Sequence, residues 1–333
     1  MQIQSKLKTL AVITSILIGI VAFSLFFPVR IPDSGTIFYV HPGMSRTNVV
    51  LGLADKQLVH NTTIFDVYTL ITGKVPKSGE YLLPRFASPY TIWKQITAGT
   101  GRYYRSFSII PGNTFSQVKA ALQNNPYLKH TTASMKDQDI MAALGDPSHA
   151  PEGLFMPETY HFARGDTDLA LLKRSYDLMA LKLAEAWRTR SAGLPFQTPY
   201  DALIAASLIE KEAYLVSEQP IISGVLVNRL KKNMLLQFDP TIIYGLGSAY
   251  QGKIYKKDLT TNTTYNTYLH KGLPPTPIAM PGRTAIEAAT HPAQHDYYYF
   301  VAKGDGSHQF TTNLQDHYQA VEAAAARKAN ATH

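Results

Sequence analysis

The chain has 333 residues, 45% hydrophobic and 17% charged, enough for about two domains with cores of their own. It has no cysteine, which excludes a disulfide scaffold, a zinc–thiolate site, an iron–sulfur cluster and a cysteine nucleophile. The formal net charge is +8, and with no dense Lys/Arg run the chain does not read as a nucleic-acid binder.

Residues 1–9 are a short cytoplasmic N-terminus in this reading. From Thr9 to Val29 there is no charge. As a helix this run spans roughly 30 Å, the thickness of a bilayer core. Lys6 and Lys8 precede it, so the positive-inside rule places the N-terminus in the cytoplasm. The run ends in SLFFPVR, which lacks a small-x-small cleavage site, so an uncleaved anchor over residues 10–29 is expected. All that follows then lies on the periplasmic or extracytoplasmic side of the cytoplasmic (inner) membrane.

Residues 36–105 are expected to form a small module. FYVHPGMSRTNVVLGLADKQLV (38–59) reads as a strand, a Pro-Gly turn, Ser45 as helix N-cap and an amphipathic helix. NTTIFDVYTLITG predicts a second helix. KSGEYLLPRFASPYTIWKQITAG predicts a strand, a turn and a helix starting at Ser88 or Pro89. The order strand, helix, helix, strand over 37–82 resembles the LysM-type glycan-binding module. FSIIPGNTFSQVKAALQNNPYL (107–128) repeats the plan of 38–59, with Thr114 as cap and Val118 and Leu122 matching Val49 and Leu53.

Residues 106–325 are expected to form the larger domain. PEGLFMPETYHFARG (151–165) reads as an ordered loop, followed by helices at 167–192 and 199–216 and by PIISGVLVNRLKKNM. LLQFDPTIIYGLG runs into a Tyr/Asn/Pro/Gly-rich stretch, TTYNTYLHKGLPPTPIAMPG, where a cleft or binding loop is expected. A helix at 283–290, a strand DYYYFVAK, a turn GDGSHQF and a closing helix complete the chain. Helices and short strands mix without regular βαβ alternation, so the fold class is α+β.

SLIEKEAYL (207–215) holds two acids in an apolar run. On a helix through 216, Leu208, Ile209, Leu215 and Val216 stand at i−4, i−3, i+3 and i+4 from Glu212, so Glu212 sits in the apolar stripe. Glu210 lies about 200° away, on the side of Ser207 and Tyr214. In apolar surroundings desolvation raises a carboxyl pKa and makes it a proton donor near neutrality. The residues by themselves leave open a buried glutamate satisfied by an arginine such as Arg229.

SLIEKEA, VNRL, LQFDPTIIYG, YNTY with KGLPPTPIAMPG, HPA with YYYFVAKGDGSHQF, and NLQDHY occur in this order, preceded by PEGLFMPETY. Together, over a core of 150–318, they resemble the MltG/YceG-like endolytic murein transglycosylases. The resemblance implies cleavage of the MurNAc–GlcNAc bond inside nascent peptidoglycan strands, with 1,6-anhydro-MurNAc ends, no cofactor and no metal, terminating strand growth. It implies that Glu212, the second acid of the EKE block, is the catalytic residue. Work beside peptidoglycan synthases is a further implication.

Candidate substrate-binding residues are Glu210, Asn228, Arg229, Gln237, Asp239, Thr241, Tyr244, Tyr265, Asn266, Tyr268, His308 and Asn313. Phe238, Thr276 and Met280 depart from the family pattern. Three rival readings are a non-catalytic cell-wall binding or scaffold protein, a muramidase that admits water, and a metal-dependent hydrolase using His291, His295, His308 and His317. Pro292 in HPAQH argues against the last, because it disfavours a helix presenting both rings.

Overall fold

The computed structural model describes residues 2–330. The chain forms two compact units: one of residues up to Ser106 together with His161–Gly165, the other of Phe107–Tyr160 and residues from Asp166 onward.

The first unit opens with α1 (Gln2–Phe26), a helix long and apolar enough to cross a membrane, whose side chains are exposed except Ser24 and Leu25. It begins earlier and ends earlier than the uncharged run. Pro28 explains the stop, because the residue before a proline is pushed out of the α region. Strands β1 (Thr36–Val40) and β2 (Gly79–Leu83) pair antiparallel, Thr36 opposite Leu83. Between them lie α2 (Arg46–Asp55) and α3 (Thr62–Thr72), so the order βααβ is formed. The Ser45 side chain accepts the Asn48 N–H and the Asn61 side chain accepts the Ile64 N–H, satisfying helix-start donors. Helix α4 (Pro89–Ala98) starts with a Ser88–Thr91 capping box. Phe38, Val49, Leu53, Phe65, Tyr81 and Trp93 form the core, which also takes in Leu25, Val29 and Ile31 at the root of α1. Glu80 is buried and forked by Arg105, whose Nε and Nη2 donate at 2.9 Å each, with Arg164 at 3.4 Å.

The second copy of the strand–turn–helix plan also forms, as β3 (Arg105–Ser108) and α5 (Phe115–Gln123), capped by Thr114. Its strand pairs with β4 (Thr159–Phe162), whereas β1 pairs with β2, so the two copies share local geometry only.

The rest of the second unit is helical around α8 (Pro199–Glu212), which packs against α7 (Asp168–Arg188), α9 (Gln219–Lys231), α10 (Asp239–Leu246) and α12 (Arg283–Thr290). Helices α6 (Asp137–Leu144) and α11 (Lys256–Leu259) are shorter. A hairpin of β5 (Tyr299–Ala302) and β6 (His308–Thr311) carries α13 (Leu314–Asn330) against it. Ala202 through Ile209 of α8 are all buried, the signature of a helix surrounded by neighbours rather than one with a polar face.

This revises two features expected of α8. The helix ends at Glu212, four residues early: Ala213 turns to φ −85°, ψ 108°, and a 3₁₀ turn follows at Val216–Glu218. Leu215 and Val216 are therefore off the helix. The side of Ser207 is not polar either; Ser207 is fully buried, donating to Ile204 O and accepting from the Ile278 N–H.

Candidate active site

Glu212 is the last residue of α8 and opens onto a cleft of about 440 Å³. Its polar lining is Glu212, Arg229, Gln237, Asp239, Tyr268, His308 and His317. Leu236, Phe300, Val301, Ala302 and Val321 supply apolar wall. Glu212 Oε2 is buried with no hydrogen-bond partner among the described residues. Burial pushes its pKa up to about 8, the Asp239 carboxylate adds to this, and the Arg229 guanidinium opposes it. The carbonyl end of α8 also disfavours a carboxylate there. Glu212 therefore stays protonated at neutral pH.

Arg229 does not pair with Glu212. From α9 its Nε donates to Tyr298 O at 2.6 Å, and its Nη1 to Leu236 O at 2.7 Å, Leu235 O at 3.2 Å and Gln237 Oε1 at 3.3 Å. It thus joins the start of the hairpin to the segment before α10, and its charge stands near Glu212 without satisfying it. Gln237 adopts φ 54°, a left-handed conformation that side chains other than glycine rarely take. Its N–H donates to Thr267 O, which holds the turn that delivers Asp239 to the first position of α10. Asp239 Oδ1 accepts the Tyr268 hydroxyl at 2.6 Å; burial and then this bond raise the Tyr268 pKa.

His308 begins β6. Glu218, in the 3₁₀ turn after α8, lies 2.6 Å from its Nδ1 and also accepts its N–H at 3.0 Å. His317, on α13, stacks on Tyr299 with ring centroids 5.2 Å apart. Its Nδ1 is buried without a partner among the described residues, and burial, then Arg229, lower its pKa.

The structure thus gathers Glu212, Arg229, Gln237, Asp239, Tyr268 and His308. The other named residues lie outside the cleft lining. Glu210 is half-buried, and its Oε2 accepts the Gly282 N–H at 2.9 Å; burial raises its pKa. Asn228 donates to His295 O and Tyr297 O. Thr241 is buried, donating to Phe238 O and bonded to Thr267. Asn266 donates to Leu259 O and Thr261 O. Tyr244 packs edge-on against Tyr265, whose hydroxyl bonds Thr276. Asn313 accepts the Asp316 N–H at the start of α13. Of the four histidines, His291 bonds Thr189 O and His295 bonds Ile221 O, so only His308 and His317 line the cleft. Phe238 and Met280 are buried in packing, the first edge-on to Phe300.

Sequence reasoning passed over three groups. Glu218 acts on a residue 90 positions away, which no periodicity reports. His317 was visible only as part of NLQDHY and as a member of the rival histidine set. Glu152, in PEGLF, is buried, accepts the Phe115 N–H and the Tyr244 hydroxyl, and is pushed up to about 7 by burial. Its signal was an acid in an apolar Pro/Gly loop.

The sequence profile of the YceG-like family matches residues 38–323. The chain is 29% identical over 322 residues to the endolytic murein transglycosylase of Bacillus subtilis (strain 168), covering 90% of this chain and 88% of that protein. It is 32% identical over 172 residues to the endolytic murein transglycosylase of Streptococcus pneumoniae (strain D39), covering 50% of this chain and 31% of that protein. A crystal structure of a YceG-like protein from Listeria monocytogenes aligns with a TM-score of 0.57 at 28% identity, over 86% of this chain and 99% of that one.

Proposed function

The chain belongs to the YceG-like family, and we propose that it is an endolytic murein transglycosylase in which Glu212 serves as both acid and base. One observation carries the assignment of the residue: a carboxyl oxygen buried without a partner, at the wall of a polar cleft.

Protonated Glu212 donates to the oxygen bridging MurNAc and GlcNAc as the anomeric C–O bond breaks, and the GlcNAc hydroxyl departs. The carboxylate left behind takes the proton from the C6 hydroxyl of the same MurNAc, whose oxygen closes on the anomeric carbon. The product is a 1,6-anhydro end. Glu212 regains its proton and no water is added, so the paired carboxylates of most glycoside hydrolases are not required. Asp239, fixed by Tyr268, adds to burial in holding the proton on Glu212 in the ground state and offers negative charge to the oxocarbenium-like transition state. Arg229 stabilises the transient Glu212 carboxylate. Gln237, Tyr268 and His308 present hydrogen-bonding groups to sugar hydroxyls and acetamides. Glu210, Asn228, Thr241, Tyr244, Tyr265, Asn266 and Asn313 act at one remove, holding the walls and turns that carry them.

In this reading α1 is a single-pass anchor with the N-terminus in the cytoplasm, and the βααβ module is a LysM-like glycan-binding element. The enzyme then trims nascent strands close to the membrane, beside the synthases that extend them. Digestion of purified sacculi, followed by mass spectrometry, tests the assignment. Wild type should release internal fragments with anhydro ends, and Glu212→Gln should release them about 10³-fold more slowly. Reducing ends, heavier by one water, would instead show a muramidase. Wild-type activity from the Gln variant would remove Glu212 from the chemistry.

A further inference from the structure

Helix α3 has two apolar faces. One, with Phe65 and Thr69, is buried in the core. The other is not covered: Val67, Leu70 and Ile71 are exposed, Ile71 at 79%, and Val75 just beyond the helix is 77% exposed. A surface helix ordinarily turns a polar face outward, and a contiguous exposed apolar patch marks an interaction site.

The position of this face indicates what covers it. Ile64, Val67, Tyr68 and Ile71 stand at i, i+3, i+4 and i+7, so they form one stripe along α3. That stripe begins against the end of α1. His60, just before α3, lies with its ring 5.0 Å from Phe23, and its Nε2 is 3.0 Å from Phe27 O. Tyr68 packs near Tyr90, which in turn touches Phe26 at 5.0 Å. The root of α1 is also fixed in the core through Leu25, Val29 and Ile31. The exposed residues therefore continue, within the same compact unit, the surface of the apolar helix at its C-terminal end. Lys74, exposed beside Val75, adds a cation at the edge of the apolar patch, the charge that anionic lipid phosphates attract.

We propose that the face of α3 formed by Val67, Leu70, Ile71 and Val75 lies in the boundary between lipid headgroups and acyl chains, next to α1. This rests on α1 being a membrane anchor. The first unit is then seated on the membrane by two elements, the span and α3, rather than tethered by the span alone.

The absence of native cysteine makes the test direct. Val67→Cys, Ile71→Cys and Val75→Cys in the full chain are labelled with an environment-sensitive fluorophore and reconstituted in vesicles of phosphatidylcholine and phosphatidylglycerol. Ile16→Cys reports the anchor, and Ser134→Cys, an exposed position in the second unit, reports water. The α3 labels should be quenched several-fold more by lipids carrying a nitroxide near the headgroup than by aqueous iodide, with Ser134 showing the reverse. Labels on α3 that follow Ser134, while Ile16 is quenched by lipid, would overturn the proposal and leave the anchor standing. Labels shielded from iodide but untouched by lipid nitroxide would overturn it in favour of a protein partner. An Ile16 label outside the lipid would overturn both the anchor and the seat.

Discussion

Two glutamates, one in each unit, one buried and one half-buried with an enclosed carboxyl oxygen, show how the same side chain serves structure or chemistry. Glu80 in the first unit has a side chain only 2% exposed and is met by Arg105 and Arg164. Burial pushes its pKa up, but the hydrogen bonds and charges of the two arginines outweigh burial and hold it below the usual value. Glu212 in the second unit has an arginine nearby too, but Arg229 is engaged by four oxygens of other residues. Asp239, in the same cleft lining, repels. An acid whose partner is provided is a strut; one whose partner is withheld keeps its proton and can give it away.

The largest effect that sharpens this contrast is on turnover. Glu212→Gln should lower the rate of anhydro-end formation about 10³-fold, the scale of general acid–base catalysis, with the circular dichroism spectrum unchanged. Glu80→Ala should do the opposite. It leaves two arginines facing a buried gap and should cost about 3 kcal/mol of stability, read from denaturant unfolding, with activity per folded molecule largely kept.

The pH dependences should also diverge. Glu212 has an ordinary value near 4.5 when unfolded and about 8 when folded. Between these pH values the native chain holds a proton that the unfolded chain has lost, so its contribution falls as pH rises through this window. Wild type should lose stability relative to Glu212→Gln from pH 5 to pH 9, by on the order of 4 kcal/mol, and its activity should decline above about pH 8. Glu80, with a lowered folded value, contributes fully above its unfolded pKa and loses that contribution as pH falls through the folded one. Thermal melts of Glu80→Ala should therefore converge on wild type only in acid. Matching pH profiles for the two variants would break the comparison.

The smallest effect is expected at Glu210. Its replacement by Gln keeps an oxygen to accept the Gly282 N–H, so activity should fall less than about ten-fold and stability by less than about 1 kcal/mol. Equal losses at 210 and 212 would show that the two acids act together.

Much of the local structure was legible because it is set by neighbours in sequence. Ser45, Ser88 and Thr114 cap helices where their spacing to the next turn predicts. The strand, helix, helix, strand order over 37–82 forms, and the helix at 283–290 has the expected bounds. Helical phase accounts for only part of the setting of Glu212. A helix running to 216 would keep one polar side, whereas α8 stops at Glu212 and is enclosed on all sides from 202 to 209. Leu208 and Ile209 still stand one turn before Glu212, and the apolar cleft wall adds Leu236, Phe300, Val301 and Val321 around it. The aromatic and amide residues of 265–268 looked suited to sugars. Only Tyr268 reaches the cleft, because Asn266 is consumed by the turn's own carbonyls and Tyr265 by Thr276.

The sequence by itself determined the apolar helix at the N-terminus, the α+β class, the capped helices and the ordered motifs that identify the family. Each of these depends on residues within a turn or two of one another, or on order along the chain. Only the tertiary structure decided which acid keeps its proton. Glu210 finds the Gly282 N–H 72 residues on, Glu218 takes His308, and Arg229 is drawn to the carbonyls of Leu235, Leu236 and Tyr298. A pKa is fixed by which partners arrive in space and how much water they exclude, and neither is written in the spacing of E-K-E.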